Sequence, residues 1–485
     1  MPNSKTSTLI VGAGLAGSLL AIYLARRGHR LTLIERRGDP RAAGYAGGRS
    51  INLALSTRGI WGMEGVGVAD EVLKHAIPMR GRVLHPASAS AKLGFQPYSS
   101  NPTDAINSIS RSGLNLALLE AAGREPNVSM IFNHRCLDVD LARNTATFVN
   151  DSSGETRTLE ADLIAGADGA FSPVRMAMQK SDRFEYSQSY LKHGYKELHI
   201  PAAADLNLKA ADLERLGGRD GWAMEPNALH IWPRGGAMMI ALPNPDRTFT
   251  CTLFWPFVGE HGFERLKKSV DITSFFEQHY ADAVPLMPTL DEDYLRNPSS
   301  SLVTVRCEPW VKFANDGKRA SILLGDAAHA IVPFYGQGMN CAFEDCRVLA
   351  ETLDAQGGNL ATGLPEYERL RKVNADAIAD MAIENFVEMR DKVGSPDFLY
   401  LKKLEHSVHE LSRGALTPQY NLVSFSTVPY AEAQQRGWVL ANVVRKLAER
   451  VPRAVAETMD TPAWLSLIGT LLPEVVDSTA QSSAR

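Results

Sequence analysis

The sequence predicts an α/β fold in which a parallel βαβ unit is interrupted by an inserted antiparallel β-sheet and followed by a helical C-terminal region. Three observations carry this. Short apolar runs at 8–11, 31–34, 161–166 and 321–324 read as buried strands, and three of them stop at glycine-containing turns. Between the later pair, segments 199–200, 228–232, 238–242 and 248–254 are short, β-rich and broken by Pro and Gly. Beyond Pro365, segments 376–389 and 439–450 show long helical periodicity with mixed charge on the outer face.

At 485 residues the chain exceeds what one core organises, so two or three units are expected. The divisions fall at 1–190 and 301–370 for a split nucleotide-binding unit, 191–300 for the inserted sheet, and 371–485 for the helices. A composition of 45% hydrophobic and 22% charged residues is that of an ordinary globular protein. A net charge of -4 without a dense Lys/Arg run gives no general attraction to nucleic acid. The five cysteines form no CxxC pair and no zinc spacing, so they read as reduced thiols and no metal is expected. The polar start, Met1 to Thr8, lacks the apolar stretch of a signal peptide, which makes the cytoplasm the expected compartment. The apolar run 464–476 contains Pro473 and falls short of the roughly 20 residues a bilayer requires, so it reads as a packed helix.

The first strand ends at Gly12, and Gly12, Gly14 and Gly17 form G-x-G-x-x-G with Leu15 and Ala16 between them. Residues 19–25 then cluster as a helix before Gly28, and strand 31–34 ends at Glu35-Arg36. This is the opening of a Rossmann unit. Missing side chains permit a tight turn and close approach of a pyrophosphate, the helix N-terminus favours its charge, and Glu35 accepts hydrogen bonds from ribose hydroxyls. FAD and NAD remain equally open at this point.

Two later motifs separate them. Ala167-Asp168-Gly169, followed by Ser172 and Arg175, and Gly325-Asp326-Ala327-Ala328-His329 resemble the DG and GD signatures of the flavoprotein aromatic hydroxylases. Asp168-Gly169 taken alone is more commonly an ordinary turn. The resemblance implies that Asp326 binds the FAD ribose and that Gly336, Gly338, Met339 and Asn340 lie near the isoalloxazine. It ties Asp168 to pyrophosphate and NAD(P)H contacts, and puts Leu55 and Arg111 beside FAD. No second Gly-rich βαβ unit is present, consistent with NAD(P)H binding only transiently. The implied fold class is an FAD-binding Rossmann-type domain with an inserted antiparallel β-sheet substrate domain and a C-terminal helical region.

A narrower resemblance runs through Gly48 to Leu55, Met79 to Arg82, His193 to Leu198, Asn227 to Pro233, Ile240 to Asn244, Val332 to Phe334, Gly336 to Cys341, and Glu384 to Met389. Together these are similar to the kynurenine 3-monooxygenase family over almost the whole chain. That family implies hydroxylation of L-kynurenine to 3-hydroxy-L-kynurenine with NADPH and O2 through a flavin C4a-hydroperoxide, in tryptophan degradation. The alternative is a hydroxylase of a related aromatic amine or aromatic amino acid in secondary metabolism. Carried over by residue, Arg82 and Tyr98 hold the substrate carboxylate with Asn385 nearby. Arginine suits this task as a two-pronged, permanently charged donor. Leu229, Ile240, Leu242, Thr252, Phe254, Pro333 and Phe334 form a ring-holding wall, and Met389 and Tyr420 come from the C-terminal unit, which closes the site. No catalytic side chain is implied, because the flavin carries the chemistry.

Two departures stand out. Tyr335 occupies a place where some bacterial members have His, and Ser110-Arg111-Ser112-Gly113 replaces a more charged stretch. Homodimer formation is compatible with the family. Rival readings are a flavin-binding regulatory module without turnover and an NAD-dependent dehydrogenase; the intact motifs disfavour the first and the DG and GD pair the second.

Overall fold

The computed structural model describes residues 6–42, 52–87, 93–99, 101–260, 262–389 and 395–483, with side chains to residue 476. The first residues of the chain and the Gly48-Arg49-Ser50-Ile51 part of the quoted motif lie outside the described residues.

The central sheet has six strands in the order Val311–Phe313, Ala320–Leu323, Leu163–Gly166, Ser7–Val11, Arg30–Ile34, Val128–Ile131. All pairs are parallel except the edge pair formed by Val311–Phe313. Its inner strands Leu163–Gly166 and Ala320–Leu323 are buried on both faces, which is why they read as short apolar runs rather than alternating ones. The register pairs Val11 with Gly166 and Gly166 with Leu323. The GxGxxG turn, the DG turn and the GD turn therefore leave three adjacent strands at one rim, where open α/β sheets bind ligands.

A second sheet of seven strands runs in the order Ser300–Glu308, Glu185–Ile200, Phe249–Pro256, Met238–Pro243, Ala228–Pro233, Gly81–Leu84, Gly94–Pro97. The inserted sheet expected from the sequence is present, but it also recruits two strands from the N-terminal segment, one of them parallel to Ala228–Pro233. Those two are only four residues long and carry Gly and Pro, so periodicity gave no signal for them. One face of this sheet buries Trp232, Met239, Leu253 and Trp255 against Phe275, Phe276 and Tyr280 of the helical cover. The other presents Leu229, Ile231, Ile240, Leu242 and Phe254 toward the nucleotide-binding half and the C-terminal helices. A three-stranded meander, His134–Asp140, Thr145–Asn150 and Thr156–Glu160, flanks the central sheet and was not anticipated.

The C-terminal region is helical, with the segments Leu360–Val387, Pro396–Leu411, Gln419–Phe425, Tyr430–Arg450 and Thr461–Ser483. The first starts well before residue 376, because Asn359 caps it through a hydrogen bond from the Ala361 amide (3.0 Å) and Pro365 falls within its second turn. The apolar run 464–476 is a packed helix. Trp464, Ile468, Leu472 and Val475 are buried with Leu404, Val408, Leu440, Val443 and Leu447 in a separate core. No described helix is long and apolar enough to cross a membrane. All five cysteines are buried and unpaired, and burial pushes the Cys136 and Cys307 thiols up to about 12, which suppresses their reactivity.

Trp464 is 1% exposed and donates its indole N–H to Ser407 Oγ (2.8 Å). Trp464→Ala is expected to destabilise this helical core by ~3–5 kcal/mol. A denaturation midpoint equal to wild type would show that the core does not depend on this ring.

Candidate active site

The first turn of the site is built by the absence of side chains. Gly12 has φ +100°, and a Cβ there would meet Ala167 O at 2.5 Å; one on Gly17 would meet Gly12 O at 1.9 Å. Gly14, by contrast, is exposed and faces open space. Helix Leu15–Ala25 starts there without a side-chain cap, so its first amides are free for an anion. Leu15 and Ala16 are half-buried in that first turn. The Glu35 carboxylate accepts the Ala13 amide (3.0 Å) and the Arg37 amide (3.0 Å), which fixes it at the turn, while Arg36 is exposed.

The DG turn contributes Asp168, whose Oδ2 accepts the Val174 amide (3.2 Å). Its Oδ1 is buried without a hydrogen-bond partner among the described residues, and burial raises the carboxyl to about 6 despite the opposing Ser172 hydroxyl and Val174 amide. Buried Arg175 donates to Ala327 O (2.8 Å) and Ala170 O (2.5 Å), tying the DG turn to the GD turn.

Asp326 begins the GD helical turn. Its side chain is solvent-accessible yet surrounded by protein, as in a deep cleft; this surrounding raises its carboxyl above the ordinary range, opposed first by the positive charge of Arg111. Arg111 itself is exposed at the start of helix Arg111–Gly123. His329 does not face this cleft. It donates from Nε2 to Asp345 Oδ2 (2.6 Å), which also accepts the Gly325 amide (3.1 Å). Asp345 Oδ1 accepts Arg371 Nε (2.7 Å), and against the cost of burial its contacts with His329 and Arg371 hold the carboxyl at about 2. His329, Cys341 and Asp345 are close enough to suggest metal ligands, but the Arg371 guanidinium already occupies Asp345 and donates to Cys341 Sγ (3.3 Å).

The fourth loop is stitched by Asn340. Its Oδ1 accepts the Ser56 amide (2.9 Å), and its Nδ2 donates to Ala54 O (2.9 Å) and Gly336 O (2.7 Å). Gly336 has φ +66°, and a Cβ there would meet Ala54 at 3.0 Å. The side chains of Asn340 and Leu55 are thus wholly buried in the loop framework, while Gly338 and Met339 are half-buried at its opening. An uncapped helix N-terminus, an orphaned Asp168 oxygen and an accessible Asp326 converge on one rim, and this donor set fits a flavin adenine dinucleotide.

Next to this rim, the inner face of the seven-stranded sheet forms an apolar wall. Ile231 pairs with Ile240, Ile240 with Thr252, and Met238 with Phe254. Arg82 pairs with Leu229 and points its guanidinium into an aromatic box, 4.7 Å from the Tyr420 ring centroid and 5.4 Å from that of Tyr98. Tyr420 stacks between Tyr98 (5.6 Å) and Tyr335 (5.5 Å). These groups influence one another electrostatically, yet Arg82 Nε and the Tyr98 hydroxyl are buried with no partner of hydrogen-bonding geometry among the described residues. Burial holds the Tyr98 hydroxyl protonated, well above the usual phenol range.

Phe334 stacks on Phe386 (4.2 Å) and tilts against Phe254 (4.9 Å). Asn385 donates to Phe334 O (2.7 Å) and contacts Met389 Sδ (3.4 Å), so its amide nitrogen orders this wall rather than reaching Arg82. Leu229, Ile240 and Tyr420 border both this cluster and the one containing Tyr98 and Leu242. The structure therefore brings Arg82, Tyr98, Tyr420, Leu229 and Ile240 together, with Phe254, Phe334, Asn385 and Met389 adjoining. Thr252 is buried in the same face, whereas Pro333 is exposed. Phe386 and Phe425 were missed as site residues; Phe386 lies inside the quoted run 384–389, and nothing local marks Phe425.

The FAD binding domain family model matches residues 5–203 and 312–382. The chain is similar to kynurenine 3-monooxygenase of Myxococcus xanthus (strain DK1622), at 46% identity over 450 residues, 93% of this chain and 92% of that protein. Its similarity to the Dictyostelium discoideum kynurenine 3-monooxygenase is 44% over 452 residues, covering 91% and 92%. Among solved structures, the tetrameric form of 2-methyl-3-hydroxypyridine-5-carboxylic acid oxygenase shares the fold with a TM-score of 0.62 at 20% identity, over 82% of this chain and 96% of that one. Both the rim geometry and this similarity lead to one assignment: the chain belongs to the kynurenine 3-monooxygenase family of FAD-binding proteins.

Proposed function

We infer that this protein is an FAD-dependent monooxygenase that hydroxylates L-kynurenine to 3-hydroxy-L-kynurenine with NADPH and O2. The observation that carries the reading is Arg82, a buried guanidinium in an aromatic box at the end of an apolar wall, whose Nε has no hydrogen-bond partner among the described residues. Such a slot suits a ligand with a carboxylate at one end and an aromatic ring at the other.

FAD, when bound, supplies the redox chemistry, taking reducing equivalents from NADPH and activating O2. Gly12, Gly14, Gly17 and the amides of Leu15 and Ala16 would cradle its pyrophosphate, with Glu35 and Asp326 on ribose or ribityl hydroxyls. Arg111, Asp168 and the loop Gly336 to Asn340 would complete the enclosure. Arg82 and Tyr98 would receive the substrate carboxylate, as two-pronged cation and neutral donor. Leu229, Ile240, Phe254 and Phe334, with Met389 and Tyr420 from the helical side, would fix the ring and exclude water. The aniline nitrogen of the substrate activates its own ring, so no side chain need move a proton.

In this proposal residues 1–190 and 301–370 hold the cofactor, 191–300 hold the substrate with strands Gly81–Leu84 and Gly94–Pro97, and 371–485 close the site. A cytoplasmic location and pairing of two copies belong to the same proposal, to be read by fractionation and by sizing. The decisive assay follows NADPH oxidation with and without L-kynurenine while measuring 3-hydroxykynurenine and hydrogen peroxide. Stimulated oxidation with matching product supports the reading; stimulation giving only peroxide makes kynurenine an effector and points to a related aromatic amine as substrate.

Asp326→Ala is expected to abolish retention of FAD through purification, read as flavin absorbance per chain; full flavin content would remove Asp326 from the cofactor site. Arg82→Met should raise the KM for kynurenine on the order of 10²-fold, since charge-assisted hydrogen bonds contribute ~1.5–3 kcal/mol each, with flavin content kept. An unchanged KM would exclude Arg82 from carboxylate binding. A pH effect follows from Asp168. Its folded pKa, about 6, is raised above the ordinary aspartate value of 3.8 by burial, so the stability it contributes is present below pH ~4 and lost as pH rises through about 6. FAD-free Asp168→Asn protein should therefore gain melting temperature over wild type at pH 8 but not at pH 4; an offset independent of pH would contradict this.

A further inference from the structure

We propose that Arg58 is the positioning residue that seats helix Gln419–Phe425, and with it Tyr420, over the substrate site. The inference rests on the reading of Arg82 and Tyr420 as substrate-binding groups. Arg58 belongs to helix Thr57–Glu64, which follows the strand end Leu55 beside the flavin loop, yet its side chain crosses to the C-terminal region. It is fully buried. Its Nε donates to Val423 O (3.1 Å) and its NH2 group to Val428 O and, more weakly, Leu422 O (3.4 Å). Leu422 and Val423 lie in the last turn of Gln419–Phe425, where carbonyls have no partner within the helix and a cation meets the negative end of its dipole.

The guanidinium is itself held from two sides. Its NH1 meets Glu344 Oε1 at 3.2 Å, and the Tyr430 ring lies 3.9 Å from its Cζ. The Tyr430 hydroxyl donates to Gln337 Oε1 (2.9 Å), inside the loop that would face the flavin. One side chain thus connects the flavin loop to the short helix carrying Tyr420, which forms the aromatic box around Arg82. A purely structural role would be served by an apolar side chain of similar volume, which avoids desolvating a charge. What only arginine supplies here is a planar fork that binds separate carbonyls at once and fixes their relative position.

Arg58→Lys keeps the cation beside Glu344 but loses that fork. The expected result is unchanged flavin content, a KM for L-kynurenine raised tenfold or more with a much smaller change in kcat, and a larger share of NADPH oxidation ending as peroxide. Combined with Tyr420→Ala it should raise KM no further than Tyr420→Ala alone, because both act through one helix; multiplying effects, or an unchanged KM, would overturn the proposal. Amide hydrogen exchange tests it without any substrate. Protection across 419–429 should fall at least tenfold in Arg58→Lys while the central sheet is unchanged. Unaltered protection would refute the seating role whatever the substrate, whereas lost protection in an enzyme whose wild type makes no 3-hydroxykynurenine would sustain it and defeat the functional reading instead. Should Arg58→Lys fail to retain flavin, Tyr430→Leu carries the test: a threefold or greater rise in KM supports the proposal, and an unchanged one refutes it.

Discussion

The carboxylate of Asp345 is the interaction around which the rest of the site is arranged. It has no solvent exposure, and it binds His329, the Gly325 amide and Arg371 simultaneously. Through Gly325 it shapes the GD turn on which Asp326 stands; through Arg371 it anchors the long helix Leu360–Val387. The neighbouring Glu344 continues the chain of charges to Arg371 (3.1 Å) and Arg58 (3.2 Å). Two carboxylates balance two guanidinia, so the network is neutral as a whole, and that neutrality is what permits it inside the protein. Removing one member would strand a charge where water cannot reach it.

The rim and the apolar wall solve opposite packing problems. At the rim, side chains are absent so that backbone amides can approach an anion: Gly12 and Gly17 are required by contacts with Ala167 and with each other. At the wall, large side chains are crowded together, and the Arg82 guanidinium lies over the rings of Tyr420 and Tyr98, with the Glu388 carboxylate within electrostatic reach.

Legibility from sequence followed the range of the interactions. The three glycine-centred turns were readable because each is fixed by contiguous residues: an apolar strand, a turn with little room, then a helix. Arg82, Leu229 and Ile240 were reached through family resemblance, and no local property distinguishes them from core residues. Gly81–Leu84 and Gly94–Pro97 gave no strand signal, because their pairing is decided by the long-range partner Ala228–Pro233. Arg58 was invisible for the same reason; its carbonyl partners lie more than 360 residues away. The early start of Leu360–Val387 was hidden by Pro365, which marks a boundary only when it falls outside the first turns.

The alignment of Val11, Gly166 and Leu323 has a consequence for how the protein is made. The rim is assembled from turns separated by about 150 residues each in a chain that emerges from its N-terminus. When the GxGxxG turn and the DG turn have left the ribosome, the strand Ala320–Leu323 that completes the rim is still untranslated, and five strands of the seven-stranded sheet are still to be made before it. A nascent chain therefore holds an exposed edge of Leu163–Gly166, an apolar strand with no partner on that side, until about two thirds of the protein has been synthesised. The rim therefore cannot be completed before Ala320–Leu323 arrives, and until then the chain depends on whatever shields that edge.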